Sequence, residues 1–251
     1  MCRHITVLGE EFGIGTHMVD PPHALVRQSW QPRMQCSGTV NADGFGVGWY
    51  APGDPLPARY RRAGPIWADP GFTDLARVVR TGALLAAVRD ATAPGADGEA
   101  AAAPFADGPY LFSHNGALAG WPGSAAPLAA RLPPGELLGL AARTDSAFVW
   151  ALVAHRLRSG IPPGEALAAA VLDLAAAAPG SRLNLLLTDG SAVAATAWGD
   201  SLWYLAAPPR LLVVASEPYD DDPRWSPVPD GHLLTATRTD LALAPLKEPR
   251  Q

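Results

Sequence analysis

The sequence is poor in cysteine and has no long apolar run. Its 251 residues include two cysteines, Cys2 and Cys36, which are too few for a disulfide framework and favour a reducing compartment. We therefore expect a cytoplasmic protein. No stretch approaches the ~18 apolar residues of a membrane-spanning helix, and the charges at Arg3 and Glu10 are unlike a secretory leader.

Positive charge is also scarce. Lysine and arginine number 19 against 24 acidic residues, the net charge is -5, and the basic residues form no cluster. Such a chain lacks the charge that binding to nucleic acid or to an anionic membrane requires. We expect neither as a partner, and the sequence carries no indication of an oligomeric state.

The composition is that of a globular protein, with 48% hydrophobic and 17% charged residues. Short apolar runs bounded by turn residues predict strands at 3–8, 44–50, 83–89, 110–116, 182–188, 192–199, 202–207, 211–216 and 232–238. Capping residues predict helices at 20–30, 69–80, 144–160 and 163–178. This order predicts a single α+β domain of antiparallel sheets over residues 2–245.

Cys2 directly follows Met1, which is normally removed when the next residue is small. The α-amine thus exposed ordinarily titrates with a pKa of ~7.7–8.0 and can accept the thiol proton without a histidine, as N-terminal threonine enzymes do. The residues alone leave three other interpretations open. Cys2 can be a small buried residue, a metal ligand together with His4, or a redox partner of Cys36.

The segment Ser-His-Asn-Gly at 113–116 ends an apolar run. Asn-Gly is typical of a tight hairpin turn. Alternatively, the side-chain amide of Asn115 and the N–H of Gly116 are two donors that can converge on one oxyanion. His114 is a candidate for substrate binding, although a histidine at a strand end is commonly structural.

Arg89 ends another apolar run, where its guanidinium suits either a substrate carboxylate or a salt bridge to Asp90. Asp145 follows the cap residue Thr144 and suits either the helix dipole or a substrate ammonium group. A nucleophile, an oxyanion hole and clamps for a carboxylate and an ammonium indicate one substrate class. It is an amino-acid head group attached through an amide.

The order of these motifs resembles the class II glutamine amidotransferases, which are N-terminal-nucleophile hydrolases with a four-layer α/β/β/α fold. The resemblance extends to the hydrolases of this family that act alone on γ-glutamyl amides in ergothioneine biosynthesis. It rests on the segments MCRHITVLG, DPPHALVRQSW, NADGFGVGWY, AAVRDAT, SHNG, RTDS, RLNLLLTDG, TAWGD and VVASEPYDDDPRW.

The resemblance implies that Cys2 is the nucleophile and that Asn115 and Gly116 form the oxyanion hole. It implies that Arg89, with Thr92 beside it, binds the α-carboxylate of the glutamyl group, and that Asp145 binds the α-ammonium. It implies no metal and no organic cofactor. Well-known members have His-Gly after the Arg-x-x-Thr stretch, whereas this chain continues Ala-Pro-Gly.

The implied activity is release of glutamate from γ-glutamyl-hercynylcysteine sulfoxide through a thioester. Two alternatives stay open: a glutaminase subunit that supplies ammonia to a separate synthase, and a hydrolase of another γ-glutamyl compound. Because the leaving half carries a trimethylammonium group, aromatic residues are candidates for its recognition. They are Trp30, Trp49, Tyr219 and Trp225.

Overall fold

The computed structural model describes residues 2–38, 40–91 and 98–246. Within these ranges the strands are β1 (Arg3–Gly13), β2 (Phe45–Trp49), β3 (Ala58–Arg62), β4 (Arg80–Val88), β5 (Phe105–Asp107), β6 (Tyr110–Ala117), β7 (Arg182–Thr188), β8 (Ala192–Ala197), β9 (Trp203–Ala207), β10 (Leu211–Ala215), β11 (Ser226–Pro227), β12 (His232–Thr237) and β13 (Leu241–Pro245). The α-helices are α1 (Ile14–Met18), α2 (Leu25–Gln28), α3 (Pro70–Val78), α4 (Ala126–Ala129), α5 (Pro134–Leu138), α6 (Asp145–Arg158) and α7 (Pro163–Ala177).

In the described ranges the strands form two antiparallel sheets. The first has seven strands in the order β11-β9-β10-β1-β4-β2-β3, and the second has six in the order β13-β12-β8-β7-β6-β5. Strand β1 is central in the first sheet, where Ile5 lies opposite Ala86 of β4 and Ala215 of β10. The first residues of the chain are therefore held on both sides by backbone hydrogen bonds.

Alternation along β1 assigns its side chains to two different layers. Ile5 and Val7 pack with Phe72 of α3 in one buried cluster, whereas Leu8 packs with Leu111 of the second sheet in another. A third cluster joins the second sheet to α6 and α7. Three apolar interfaces separate four layers, in the order helices, sheet, sheet, helices. The predicted α+β class and the four-layer arrangement are confirmed.

Local capping explains where the long helices begin. The Asp69 side chain accepts a hydrogen bond from the N–H of Phe72, and Thr144 Oγ1 accepts one from the N–H of Ala147. The other predicted cap, at residue 20, is wrong. Helix α2 begins only at Leu25, because the residues just before it form a turn.

Edge strands are the elements that the apolar pattern missed. Strand β3 is Ala-Arg-Tyr-Arg-Arg at one edge of the first sheet, and its side chains are half-buried or exposed. Strand β13 lies at an edge of the second sheet and is similarly exposed. The charge on β3 is a common protection of an exposed edge against pairing with other chains, and it leaves no apolar signal in the sequence. In the described part of the chain, no helix is long and apolar enough to cross a membrane.

Candidate active site

Cys2 lies immediately before β1, in the space between the two sheets. Its neighbour two residues on, His4, faces the second sheet and places Nδ1 3.2 Å from Ser113 Oγ of β6. Since side chains alternate along a strand, Cys2 is on this same face. The residue Cys2 is half-buried. The nucleophile candidate is thus presented by the centre of one sheet to the strand that carries the oxyanion-hole candidates.

Burial is the largest influence on the Cys2 thiol and raises its pKa. The positive charge of the amino terminus, a hydrogen bond from the Asp90 backbone and the charge of Arg89 lower this pKa again. The negative charge of Asp145 raises it. Two predicted substrate-binding residues therefore lie within electrostatic reach of the thiol. A thiol with a raised pKa is protonated at rest, so attack needs a base.

Asn115 and Gly116 lie within β6, not in a turn. Asn115 is opposite Asn184 of β7 and Gly116 is opposite Leu183, and the strand continues to Ala117. The hairpin interpretation of Asn-Gly is therefore wrong. A Cβ at position 116 would collide with the backbone carbonyl of Arg182, so the close approach of the two strands requires glycine.

His114 points away from the space between the sheets, towards α6. Its Nε2 is 3.0 Å from the carbonyl oxygen of Arg182, and its Nδ1 is 3.0 Å from Ser146 Oγ. Since a carbonyl only accepts, Nε2 carries the proton and Nδ1 accepts from the serine hydroxyl. In this arrangement neither ring nitrogen is available to the substrate that we expected His114 to bind. Its contacts join β6 to α6 and β7.

Arg89 follows β4, where its backbone is locked to the turn before β2. Its N–H donates to the carbonyl of Gly44 at 2.7 Å, and its own carbonyl accepts from the N–H of Asp43 at 2.9 Å. The guanidinium donates to the Asp43 carbonyl at 3.1 Å. Within the described ranges it forms no ion pair with Asp90. Among the described residues the guanidinium makes this one contact, so four donors of its fork are left for a carboxylate.

Asp145 is the first residue of α6 and is buried. Oδ1 accepts from the N–H of Ser146 at 2.8 Å, and Oδ2 accepts from the N–H of Leu118 at 2.9 Å. Ser146 Oγ also lies 3.5 Å from Oδ1, and since a carboxylate has about four acceptor sites, a lone pair remains on Oδ2. Asp145 thus serves the helix terminus and retains capacity for an ammonium group. Thr92 lies outside the described residues.

The loop that carries Arg33, Met34 and Gln35 packs over the end of the first sheet where Cys2 lies, and the sequence did not indicate it. The fully buried carboxylate of Glu217 accepts from the N–H groups of Arg33 and Met34, at 2.8–3.1 Å. Gln35 Oε1 accepts from Nε of the fully buried Arg3, the residue after the nucleophile candidate. The one sequence signal is Glu217 itself, which stands within a segment that carries the family resemblance.

The surroundings of Cys2 bear on its interpretation as a redox partner of Cys36 and on its interpretation as a metal ligand. Cys2 and Cys36 are both free thiols. In the described part of the chain, no three His, Cys, Asp or Glu side chains lie close enough together to hold a metal ion. The Asp222 carboxylate accepts hydrogen bonds from the Arg224 guanidinium at the surface.

The aromatic candidates for the leaving half differ in exposure. Tyr219 and Trp225 are buried against each other, edge to face, with ring centroids 5.2 Å apart. Trp49 is half-buried. Trp30 is exposed and meets Trp67 edge to face at 5.6 Å. The Tyr219 and Trp225 rings are therefore packed inside the protein and are not exposed to a ligand.

Comparison with known families shows which family the chain belongs to. The family model of class II glutamine amidotransferases matches residues 18–210. The chain belongs to this family. The matched range includes Arg89, Asn115, Gly116 and Asp145, and it begins after Cys2.

Two enzymes that share one name align with nearly the whole chain. The γ-glutamyl-hercynylcysteine sulfoxide hydrolase of Mycolicibacterium smegmatis is 40% identical over 98% of this chain and 100% of its own length. The enzyme of the same name from Mycobacterium tuberculosis is 39% identical, over 98% of this chain and 97% of its own.

Solved structures of other family members share the fold. A class II domain protein from Silicibacter pomeroyi superposes with a TM-score of 0.71 at 23% identity, covering 98% of this chain and 100% of that one. The glutamine phosphoribosylpyrophosphate amidotransferase of Bacillus subtilis superposes with a TM-score of 0.67 at 16% identity, over 98% of this chain and 49% of that one.

Proposed function

We propose that this class II glutamine amidotransferase homologue hydrolyses the γ-glutamyl amide of γ-glutamyl-hercynylcysteine sulfoxide, releasing glutamate and hercynylcysteine sulfoxide. The observation that carries the proposal is the near-full-length identity of about 40% to hydrolases of that name. The substrate is a small molecule, with no nucleic acid or membrane as a partner. The two free thiols are consistent with a reaction in the cytoplasm.

In this proposal Cys2 becomes the first residue after removal of Met1. Its own α-amine takes the thiol proton, and the thiolate attacks the γ-carbonyl carbon of the substrate. The raised pKa of the thiol supports the need for such a base. The nearest histidine along the strand is unsuited to the task, because burial lowers the pKa of His4 to about 3 and Nδ1 is bonded to Ser113.

The tetrahedral intermediate carries its charge on the former carbonyl oxygen. The Asn115 amide and the Gly116 N–H would donate to it, and each such donor is worth about 3 kcal/mol in related chemistry. When the intermediate collapses, the C–N bond breaks and the leaving amine takes the proton from the α-ammonium. The product on the enzyme is a γ-glutamyl thioester of Cys2.

Water completes the cycle. The α-amine removes a proton from the water, the resulting hydroxide adds to the thioester carbonyl, and the same donors hold the oxyanion. The C–S bond then breaks, the thiolate recovers its proton, and glutamate leaves. Arg89 and Asp145 would hold the α-carboxylate and α-ammonium of the glutamyl group throughout, with Thr92 beside the former.

The test is a comparison of two substrates and two cysteine variants. We expect the protein to release glutamate from the conjugate faster than from free glutamine, and Cys2→Ala to abolish both activities. Cys36→Ala is the matched control, because it removes an exposed thiol 34 positions away in the sequence. Rapid hydrolysis of glutamine with no cleavage of the conjugate would favour the glutaminase-subunit alternative and refute the proposal.

A further inference from the structure

Ser216 connects the strand of the nucleophile to the strand of the oxyanion hole. It follows β10 and is fully buried between the sheets. Its Oγ accepts from the backbone N–H of His4 at 3.0 Å and lies 3.4 Å from Asn115 Nδ2. One hydroxyl therefore touches both halves of the site.

The hydroxyl acts here in place of the backbone carbonyl of Ser216. In the regular ladder, the N–H of His4 would donate to that carbonyl, in return for the bond that Ser216 N–H makes to the His4 carbonyl at 2.9 Å. Instead, Ser201 Oγ donates to the Ser216 carbonyl at 2.7 Å. The Ser216 side chain therefore completes the pairing of β1 with β10, two residues from Cys2.

The hydrogen bonds of the Asn115 amide are incomplete in this orientation. Its nitrogen points to an oxygen that already accepts a bond, whereas its Oδ1 is buried and has no partner in the described part of the chain. Buried polar atoms are normally paired. A half-turn of the amide about its Cβ–Cγ bond would let the Ser216 hydroxyl donate to Oδ1. Nδ2 would then occupy the unpartnered position.

We propose that Ser216 is a positioning residue that orients the Asn115 amide by donating to Oδ1, so that Nδ2 is presented to the oxyanion. The proposal rests on the proposed function. In this arrangement a continuous chain runs from the His4 N–H through the Ser216 hydroxyl to the Asn115 carbonyl. Successive hydrogen bonds of this kind polarise one another, which strengthens the final donor.

The test compares Ser216→Ala with Ser113→Ala on a γ-glutamyl amide such as γ-glutamyl-p-nitroanilide. Ser113 is a matched control because its hydroxyl is equally buried between the sheets but meets the His4 ring at 3.2 Å and not the amide. We expect Ser216→Ala to lower kcat by about 10- to 100-fold with little change in KM, less than the ~10²–10³-fold loss of a whole donor. Ser113→Ala should retain most of kcat.

A double-mutant cycle separates positioning from a general effect on the fold. In an Asn115→Ala background the amide is absent, so Ser216→Ala should lower kcat no further. An equal fall in both backgrounds would overturn the proposal, as would an unchanged kcat in the single variant. If Ser216→Ala does not fold, Ser216→Cys, with a weaker donor, should show the same dependence on Asn115. A parent protein that cleaves no γ-glutamyl amide would instead overturn the proposed function and this inference with it.

Discussion

Removal of the Glu217 carboxylate should cost this protein a large part of its stability. Glu217 is fully buried, and both of its oxygens accept hydrogen bonds from the backbone of Arg33 and Met34. Its charge also offsets the burial that lowers the pKa of the Arg3 guanidinium. Glu217→Ala would remove a negative charge that favours the buried Arg3 cation, and it would leave the half-buried N–H groups of Arg33 and Met34 without this acceptor.

The expected loss follows from these contacts. Hydrogen bonds to a charged group are worth about 1.5–3 kcal/mol each, so losing the carboxylate that accepts from two backbone N–H groups should cost about 3–6 kcal/mol. A domain of ordinary stability has about 5–15 kcal/mol in total, so the variant should fold and be markedly weakened. Activity should fall as well. The loop packs at Gly38 against Asp90, whose backbone donates to the Cys2 thiol.

Urea unfolding followed by tryptophan fluorescence measures the free energy of unfolding directly. Glu11→Ala is the matched control, because Glu11 pairs with Arg80 at 2.9 Å with both side chains about 60% exposed. Exposed pairs are worth about 0–1 kcal/mol. If Glu217→Ala and Glu11→Ala were destabilised equally, Glu217 would not be an anchor of the loop.

Three further predictions concern the site and its strand. Gly116→Ala should abolish activity and reduce stability, because the added Cβ overlaps the Arg182 carbonyl; wild-type kinetics and melting temperature would refute the close approach. Burial first, and then the charge of Arg3, lowers the pKa of His4 from 6.5 to about 3. Below about pH 6.5, His4 therefore binds a proton in the unfolded chain but not in the native protein. Stability should fall by about 2.5 kcal/mol between pH 7 and about pH 4.5 on this account alone, and His4→Gln should show a shallower pH dependence in urea titrations. Finally, kcat/KM should rise with pH through the α-amine pKa of ~7.7–8.0, and a flat profile across that range would argue against the amine as the base.

The central strands could be predicted from the sequence because their residues are apolar on both faces. Strand β7, for example, is buried between α7 and the first sheet, and its Leu-rich run ends where a turn begins. Helix α2 shows what local signals cannot supply. Its expected start at residue 20 failed because His23 N–H bonds to the carbonyl of Tyr219, far along the chain, and holds the segment in a turn.

The same distinction applies to the site. The candidates Cys2, Asn115 and Gly116 stand in short motifs whose order can be recognised from the sequence. Ser216 and Glu217 also stand in a recognisable segment, but their contacts cannot be found in that way, because their partners are 101–212 positions away and the contacts follow no periodicity. Only the pairing of β1 with β10 brings them to the nucleophile.

The most direct test of the account is mass spectrometry of the protein quenched with acid during turnover of a γ-glutamyl amide. The account predicts an intact mass without Met1, and a glutamyl adduct confined to the peptide that begins with Cys2. The adduct should be absent from Cys2→Ala and present in Cys36→Ala. Full activity in protein that retains Met1, or an adduct on any other residue, would contradict the account.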